Sequence, residues 1–266
     1  MRTIVVPLDG STFAEQALRV ARRVADITGD SLLLMAVSTA ATCDPDATYL
    51  DRMIASLADP RVSSQQIVLA SGERVAPAIS RVVEALGPDA MVCMAAHGRT
   101  GLGSMILGST TEDLLRSGPR PVLVVGRSCS STWPDHARLL VPLDGSARGR
   151  EILPDAAGVA VDWNLETSLL QVVHPFDNET TRHLGADLAV AQERMRALGV
   201  EAKTDIAFGS NPPQTIAQEA RQLGAALIMM SSRVHPGPAR TLLGSVTMGV
   251  IHHAPCPVLV CPPTTS

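Results

Sequence analysis

A chain of 266 residues with 45% hydrophobic residues is long enough to form one or two domains with sizeable cores. A net charge of −4 and only six aromatic residues disfavour a nucleic-acid partner, because proteins bind nucleic acids through basic patches and aromatic side chains that stack on the bases. The apolar run that opens the chain at Ile4 is too short for a signal peptide or a membrane span, and the odd set of five cysteines favours reduced thiols, so we expect a cytoplasmic protein with no membrane partner.

The first half alternates continuous apolar runs with stretches of helical periodicity. Helical spacing of apolar residues begins after Ser11, directly behind the first apolar run. In chain order the pattern predicts strands at 3–8, 32–37, 66–69, 91–94 and 121–125, and helices from Ser11 and at 49–57, 77–86 and 109–116. Uniformly apolar strands that alternate with helices are typical of a parallel sheet covered on both faces.

The second half repeats the first. Asp9-Gly10-Ser11 returns as Asp144-Gly145-Ser146, 135 residues later, and Gly108-Ser109 returns as Gly244-Ser245, 136 residues later. Two matches in one order and nearly one register imply a duplicated domain. The predicted strands of the second copy lie near 138–143, 167–173, 204–208, 226–230 and 257–261, with a long helix near 178–198.

A linker separates the copies, because residues 127–136 lack apolar periodicity and are rich in small polar side chains. We therefore predict domains at 1–128 and 137–266. The predicted fold class is α/β, with two tandem, five-stranded, doubly wound, nucleotide-binding-like domains.

Ligands of open parallel sheets bind beyond the carboxyl ends of the strands. In the first copy the loops 7–10, 37–38, 71–72 and 95–109 would meet at that edge. The last of these loops carries four glycines and leads into a helix, so its free backbone amides favour an anion such as phosphate. Glycine-rich loops also occur in α/β proteins that bind nothing there, and the loop alone leaves both interpretations open.

Single residues around this loop also have two interpretations. Asp9 is either a turn former beside Gly10 or a partner for ribose hydroxyls. His97 and Arg99 form either a phosphate clamp or an ordinary solvated pair. Ser109 is predicted to be the N-cap of its helix, with Glu112 completing a capping box, a role that is compatible with phosphate binding.

The spacing Gly-x2-Gly-x9-Gly-Ser/Thr, placed between a fourth strand and a helix behind a first strand that ends in aspartate, resembles the ATP-binding members of the universal stress protein family. The resemblance covers both halves. Here the motif reads Ala95-x2-Gly98-x9-Gly108-Ser109, so alanine replaces the first glycine. The family implies ATP, bound with Mg²⁺, as the ligand; the candidate residues are Pro7, Leu8, Asp9, Val37, Ala95, His97, Gly98, Arg99, Thr100, Gly101, Gly108, Ser109 and Thr110.

By the same resemblance, Pro7, Asp9 and Val37 would line the adenosine. The phosphates would be held by Gly98, Gly101, Gly108 and Ser109. The scarcity of aromatic residues agrees with an aliphatic slot for the adenine.

In the second copy the motif reads Ser231-x2-Val234-x9-Gly244-Ser245, and prolines enter the loop. A β-branched valine is poorly suited to a position that needs positive φ or close backbone approach, so we predict a weakened or empty second site. Its remaining candidates are Pro142, Asp144, Val172, Gly244 and Ser245.

The resemblance implies a nucleotide-dependent regulatory protein of the stress response, whose copies pack as a pseudo-dimer and whose chains form a homodimer. A slow ATPase or phosphotransferase and an interaction module that has lost its nucleotide are the alternatives. Asp9 and Glu112 are the only acids near the loop, which is too few for efficient phosphoryl transfer, so no catalytic residue and no resident metal is assigned.

Overall fold

The computed structural model describes residues 2–39, 48–70, 72–97, 107–129, 133, 137–175, 185–231 and 243–262. The chain forms two compact units. The first holds the described residues up to Arg127 together with Leu243, and the second holds the remaining described residues. None of the helices in this part of the chain has the length and hydropathy needed to cross a membrane.

The first unit is a five-stranded parallel sheet in the order β3-β2-β1-β4-β5. Its elements are β1 (Thr3–Leu8), α1 (Thr12–Thr28), β2 (Ser31–Thr39), α2 (Tyr49–Leu57), β3 (Val62–Leu69), α3 (Val75–Ala85), β4 (Met91–Ala95), α4 (Ser109–Ser117) and β5 (Val122–Val125).

The second unit repeats this topology with the strand order β10-β9-β6-β7-β8. A 3₁₀ turn at Gly149–Ile152 precedes its first α-helix. Its elements are β6 (Arg138–Leu143), α5 (Leu153–Asp162), β7 (Glu166–Val173), α6 (Ala186–Ala197), β8 (Ala202–Phe208), α7 (Pro212–Gln222), β9 (Ala225–Ser231), α8 (Ser245–His253) and β10 (Val258–Cys261).

The central strand of the first unit explains where its site can form. Ile4, Val5 and Val6 of β1 are fully buried, as expected for a strand that is covered on both faces. The chain passes from β1 to β2 on one side and later reaches β4 on the other side. Successive loops therefore diverge between β1 and β4, and this point of divergence is where open α/β sheets bind ligands.

The predicted α/β class, the parallel sheets and the tandem repeat are confirmed. One boundary is wrong: β3 begins at Val62, four residues before the predicted start at Gln66. Val62 is half-buried and the next three residues are exposed, on a strand at the edge of the unit's sheet, so this stretch lacks the apolar pattern on which the prediction relied. The helix predicted at 178–198 is described only from Ala186, and residues 178–184 lie outside the described part. The exact domain limits stay a prediction.

Candidate functional site

A cleft of about 280 Å³ opens at the carboxyl end of the first unit's sheet. Its volume is close to the lower end of the range for small-molecule sites, about 300–1,000 Å³. Three of the four loops predicted to meet there, all but the loop at 71–72, contribute to its lining, together with neighbouring helices and strands. The described lining residues are Pro7, Leu8, Asp9, Ala14, Met35, Val37, Val75, Ile79, Met94, Ala95, His97, Gly108, Ser109, Thr110 and Thr111.

One part of the cleft is apolar. Met35 and Val37 come from β2, Met94 from β4 and Ile79 from α3. The described lining residues include no phenylalanine, tyrosine or tryptophan side chain. Aliphatic and thioether side chains offer a flat ligand dispersion contacts and the removal of apolar surface from water, but no ring on which to stack.

Asp9 follows β1 directly, where it both stabilises a turn and lines the cleft. Its Oδ1 accepts a hydrogen bond from the backbone N–H of Ser11 at 3.0 Å, and Ser11 Oγ in turn accepts from the N–H of Ala14 at 3.2 Å. Gly10 between them has φ of 80°, a conformation that favours glycine. The turn-forming interpretation of Asp9 is therefore confirmed, and the same side chain also lines the cleft.

The first turn of α4 also borders the cleft and differs from the prediction. Gly108 is the N-cap, with extended φ and ψ of −60° and 140°, and Ser109 is the first helical residue. The predicted capping box is wrong because the cap has no side chain and Glu112 lies one residue too far along the helix. Among the described residues no side chain caps this helix, and its first-turn amides have no acceptor within the helix and carry the positive end of its dipole.

Two carbonyls at the end of β4 hold the start of α4. The backbone N–H of Gly108 donates to the carbonyl of Ala96 at 2.9 Å, and Thr111 Oγ1 donates to the carbonyl of Ala95 at 3.1 Å. Ala96 itself donates its N–H to the carbonyl of Val125 at 2.9 Å. The helix start is thus joined to the sheet by one backbone bond and one side-chain bond.

An acidic pair and the chain's one tyrosine lie beside the turn after β1. Tyr49 donates its hydroxyl to Glu15 Oε1 at 3.5 Å. Burial, the largest cause, and the negative charges of Glu15 and Asp9 together raise the pKa of Tyr49 to about 12. The phenol therefore stays protonated and neutral near the cleft at physiological pH.

Nine of the thirteen candidates in the first copy line this cleft together: Pro7, Leu8, Asp9, Val37, Ala95, His97, Gly108, Ser109 and Thr110. The other four, Gly98, Arg99, Thr100 and Gly101, lie outside the described residues.

Sequence reasoning predicted Val37 but missed most of the other apolar lining residues and Thr111. The missed residues carry the apolar periodicity that also marks a core, and the sequence gives no sign that one end of the core is open. The lining residues absent from the prediction are Ala14, Met35, Val75, Ile79, Met94 and Thr111.

The second unit has a different arrangement after its first strand. Asp144 is exposed and accepts hydrogen bonds from both the N–H and the hydroxyl of Ser146, at 3.1 and 2.7 Å. Arg150 Nη1 donates to the carbonyl of Gly145 at 2.9 Å and pairs with Asp187 at 3.1 Å.

A larger side chain on β7, the second strand of this unit, adds to the difference between the two units. Gln171 pairs in register with Leu143, as Ala36 pairs with Leu8 in the first unit. A Cβ placed on Gly145 would lie 3.0 Å from Gln171 Nε2, so the larger side chain crowds the loop after β6. Pro142, Asp144, Val172, Gly244 and Ser245 keep the positions that the repeat predicts for them at the ends of β6 and β7 and the start of α8.

Metal ligation has no support in the described part of the chain. It contains no group of three or more His, Cys, Asp or Glu side chains that could hold an ion.

Comparison with known proteins gives one consistent family. The model of the "Universal stress protein family" matches residues 1–126 and again 136–262. A universal stress protein of Mycobacterium tuberculosis is 28% identical over 198 residues, which cover 68% of this chain and 65% of that protein. One from Methanocaldococcus jannaschii is 31% identical over 140 residues, covering 47% of this chain and 81% of that protein.

Solved structures agree on the fold along the whole chain. The crystal structure of a universal stress protein from Archaeoglobus fulgidus covers 98% of this chain and 98% of its own, with a TM-score of 0.73 at 22% identity. A structure from Pseudomonas aeruginosa covers 99% of this chain and 94% of its own, with a TM-score of 0.72 at 17% identity. The chain spans 65% of the length of the mycobacterial relative, slightly less than two thirds.

Proposed function

The chain belongs to the universal stress protein family, and we propose that its first unit binds ATP as the input of a nucleotide-dependent regulatory protein of the stress response. The observation that carries this proposal is the cleft between β1 and β4, which has an apolar end, a carboxylate and an uncapped helix start. These three features suit the three chemically different parts of a nucleoside phosphate.

Each part of the ligand has a matching surface. The side chains of Met35, Val37 and Met94 suit an adenine ring that is held by apolar contact. The carboxylate of Asp9 suits the hydroxyls of the ribose, because an ionised carboxylate accepts hydrogen bonds and donates none. The first-turn amides of Ser109 and Thr110 suit phosphate oxygens, since helix N-termini favour anions.

Regulation by binding fits the cleft better than turnover does. Phosphoryl transfer needs several groups around the γ-phosphate, including carboxylates for Mg²⁺. Asp9 is the one carboxylate among the described residues that line the cleft. The proposed ligand is ATP with Mg²⁺ carried by its phosphates, and the proposal assigns no resident metal.

We place the binding activity in the first unit alone. In the second unit Gln171 replaces an alanine and Arg150 bridges Gly145 to Asp187, which supports the loss of nucleotide predicted from its loop. The domain limits 1–128 and 137–266, a pseudo-dimer of the two copies, a homodimer of chains and a cytoplasmic location complete the proposal.

A matched pair of substitutions tests the site and its location. Ser109 and Ser245 are exposed first residues of α4 and α8. Aspartate at such a position favours the helix dipole, so neither change should lower the melting temperature, whereas Ser109→Asp places a charge against the phosphates. Calorimetric titration with ATP and magnesium should give one site per chain in the wild type and in Ser245→Asp, and binding weakened about tenfold or more in Ser109→Asp, since like charges in contact cost several kcal/mol.

Other outcomes of this titration have clear meanings. Two sites per chain, with one lost in Ser245→Asp, would show that the second unit binds nucleotide. An absence of ATP binding in the wild type would reject the proposal and favour the interaction module.

A further inference from the structure

Three hydroxyl residues in succession begin α4, and they differ in how far they are buried. Ser109 is exposed and Thr110 half-buried, whereas Thr111 is only 2% exposed. Its Oγ1 donates to the carbonyl of Ala95 at 3.1 Å. A buried hydroxyl without a partner is costly, so this bond is what allows a threonine at that position.

The bond to Ala95 adds a second attachment between β4 and α4. The N–H of Gly108 donates to the carbonyl of Ala96, the residue next to Ala95. One bond would leave the helix start free to rotate about it, whereas two bonds to adjacent carbonyls, from residues three apart on the first turn, fix the direction of its amides. In the described part of the chain, the turn that borders the cleft is therefore oriented by these two bonds to the end of β4 and not by a capping side chain.

Resting on the proposed function, we propose that Thr111 is a positioning residue for the phosphates of the nucleotide. Its hydroxyl has one hydrogen, which is used on Ala95, so it donates no hydrogen bond to a phosphate. It acts by aiming the N–H groups of Ser109 and Thr110 into the cleft, where hydrogen bonds to phosphate oxygens depend on direction. The nucleoside is expected to contact Asp9, Val37 and Met94, which do not belong to α4, so its binding does not depend on this bond.

The test separates phosphate binding from nucleoside binding. Affinities for ATP and for adenosine are measured by calorimetry in the wild type, Thr111→Val and Thr111→Ser. Thr111→Val should weaken ATP about tenfold, the equivalent of one charge-assisted hydrogen bond, and leave adenosine within about threefold. Thr111→Ser keeps the hydroxyl and should preserve the ratio of the two affinities.

Thr247 offers the matched control, because it is the buried third residue of α8 in the second unit. Thr247→Val makes the same chemical change away from the proposed site and should leave both affinities unchanged. If Thr111→Val does not fold, Thr111→Ala and Thr111→Ser form a pair that differs by the hydroxyl alone. Thr111→Ala should then bind ATP about tenfold more weakly than Thr111→Ser, with similar affinities for adenosine.

An equal loss of ATP and adenosine affinity in Thr111→Val, or no loss of either, would overturn the positioning role while the binding of ATP by the wild type stands. A wild type that binds neither ligand would overturn the proposed function itself and this role with it.

Discussion

Tyr49 reports on the electrostatics beside the cleft, because it is the chain's one tyrosine. Burial is the main cause that raises its pKa to about 12, and Glu15 contributes through its charge and a hydrogen bond. Glu15→Gln should lower this pKa without returning it to the ordinary value of 10.0, because the burial remains. The measurement is an absorbance titration of tyrosinate formation.

The raised pKa of Tyr49 also determines how its contribution to folding stability changes with pH. A phenol whose pKa is higher in the folded state stabilises the fold fully below pH 10, and that contribution is lost as the pH rises toward 12. Glu193→Gln, on an exposed face of the second unit, is the control and should leave the titration unchanged. A tyrosinate pKa near 10 in the wild type would mean that Tyr49 is not buried beside Glu15.

Asp9 is expected to recognise the ribose, and its structural role can be kept while its charge is removed. Asn retains the side-chain oxygen that accepts from Ser11, so Asp9→Asn should preserve the turn. The wild type should bind ATP about tenfold more tightly than 2′,3′-dideoxy-ATP, and Asp9→Asn should lose most of that preference. Competition titrations measure both.

Asp144→Asn makes the same change in the second unit and should leave the preference intact. Equal affinities of the wild type for the two nucleotides would show that Asp9 only forms the turn.

At the scale of elements, we expect substitution of two helical glycines of the second unit by alanine to change the stability of the protein in opposite directions. Gly158 in α5 is exposed, and an added Cβ would meet no atom within 4 Å. Gly249 in α8 faces α7, and an added Cβ would lie 2.6 Å from Pro213 Cβ. Gly158→Ala should stabilise the protein by about 0.5–1 kcal/mol through helix propensity, whereas Gly249→Ala should destabilise it by about 1–3 kcal/mol through overpacking.

Denaturant unfolding measures both changes, and each variant serves as the control of the other. A stabilising Gly249→Ala would mean that α7 and α8 are further apart than the packing at Pro213 indicates.

At the scale of the whole molecule, ATP should slow hydrogen exchange in the first unit and leave exchange in the second unit unchanged. Nucleotide at roughly 100 times its dissociation constant adds about 2.7 kcal/mol to the folded state. Hydrogen exchange should slow in peptides that span Asp9 and the first turn of α4. Peptides that span Asp144 and the first turn of α8 should exchange at the same rate with and without ATP. Equal protection in both units would contradict an empty second site.

Periodicity and duplication predicted most of the architecture, because a strand buried on both faces must be apolar throughout and a covering helix must have one apolar face. The β1, β4 and β5 runs are of this kind. The edge strand β3 was predicted only in part, since its exposed residues Ser63, Ser64 and Gln65 are under no such constraint. The glycine and hydroxyl pattern near Gly108 likewise identified the loop that borders the cleft.

By itself, then, the sequence determined the α/β class, the tandem repeat and the edge of the sheet at which a ligand would bind, because these depend on residue type and spacing along the chain. The tertiary structure alone decided how α4 begins. Gly108 and Thr111 bond to the carbonyls of Ala96 and Ala95 at the end of β4, far along the chain from the helix, so local capping rules predicted the wrong N-cap residue. It also decided that Met35, Ile79 and Met94 line a cleft, because burial in a core and exposure to a cavity require the same apolar side chains.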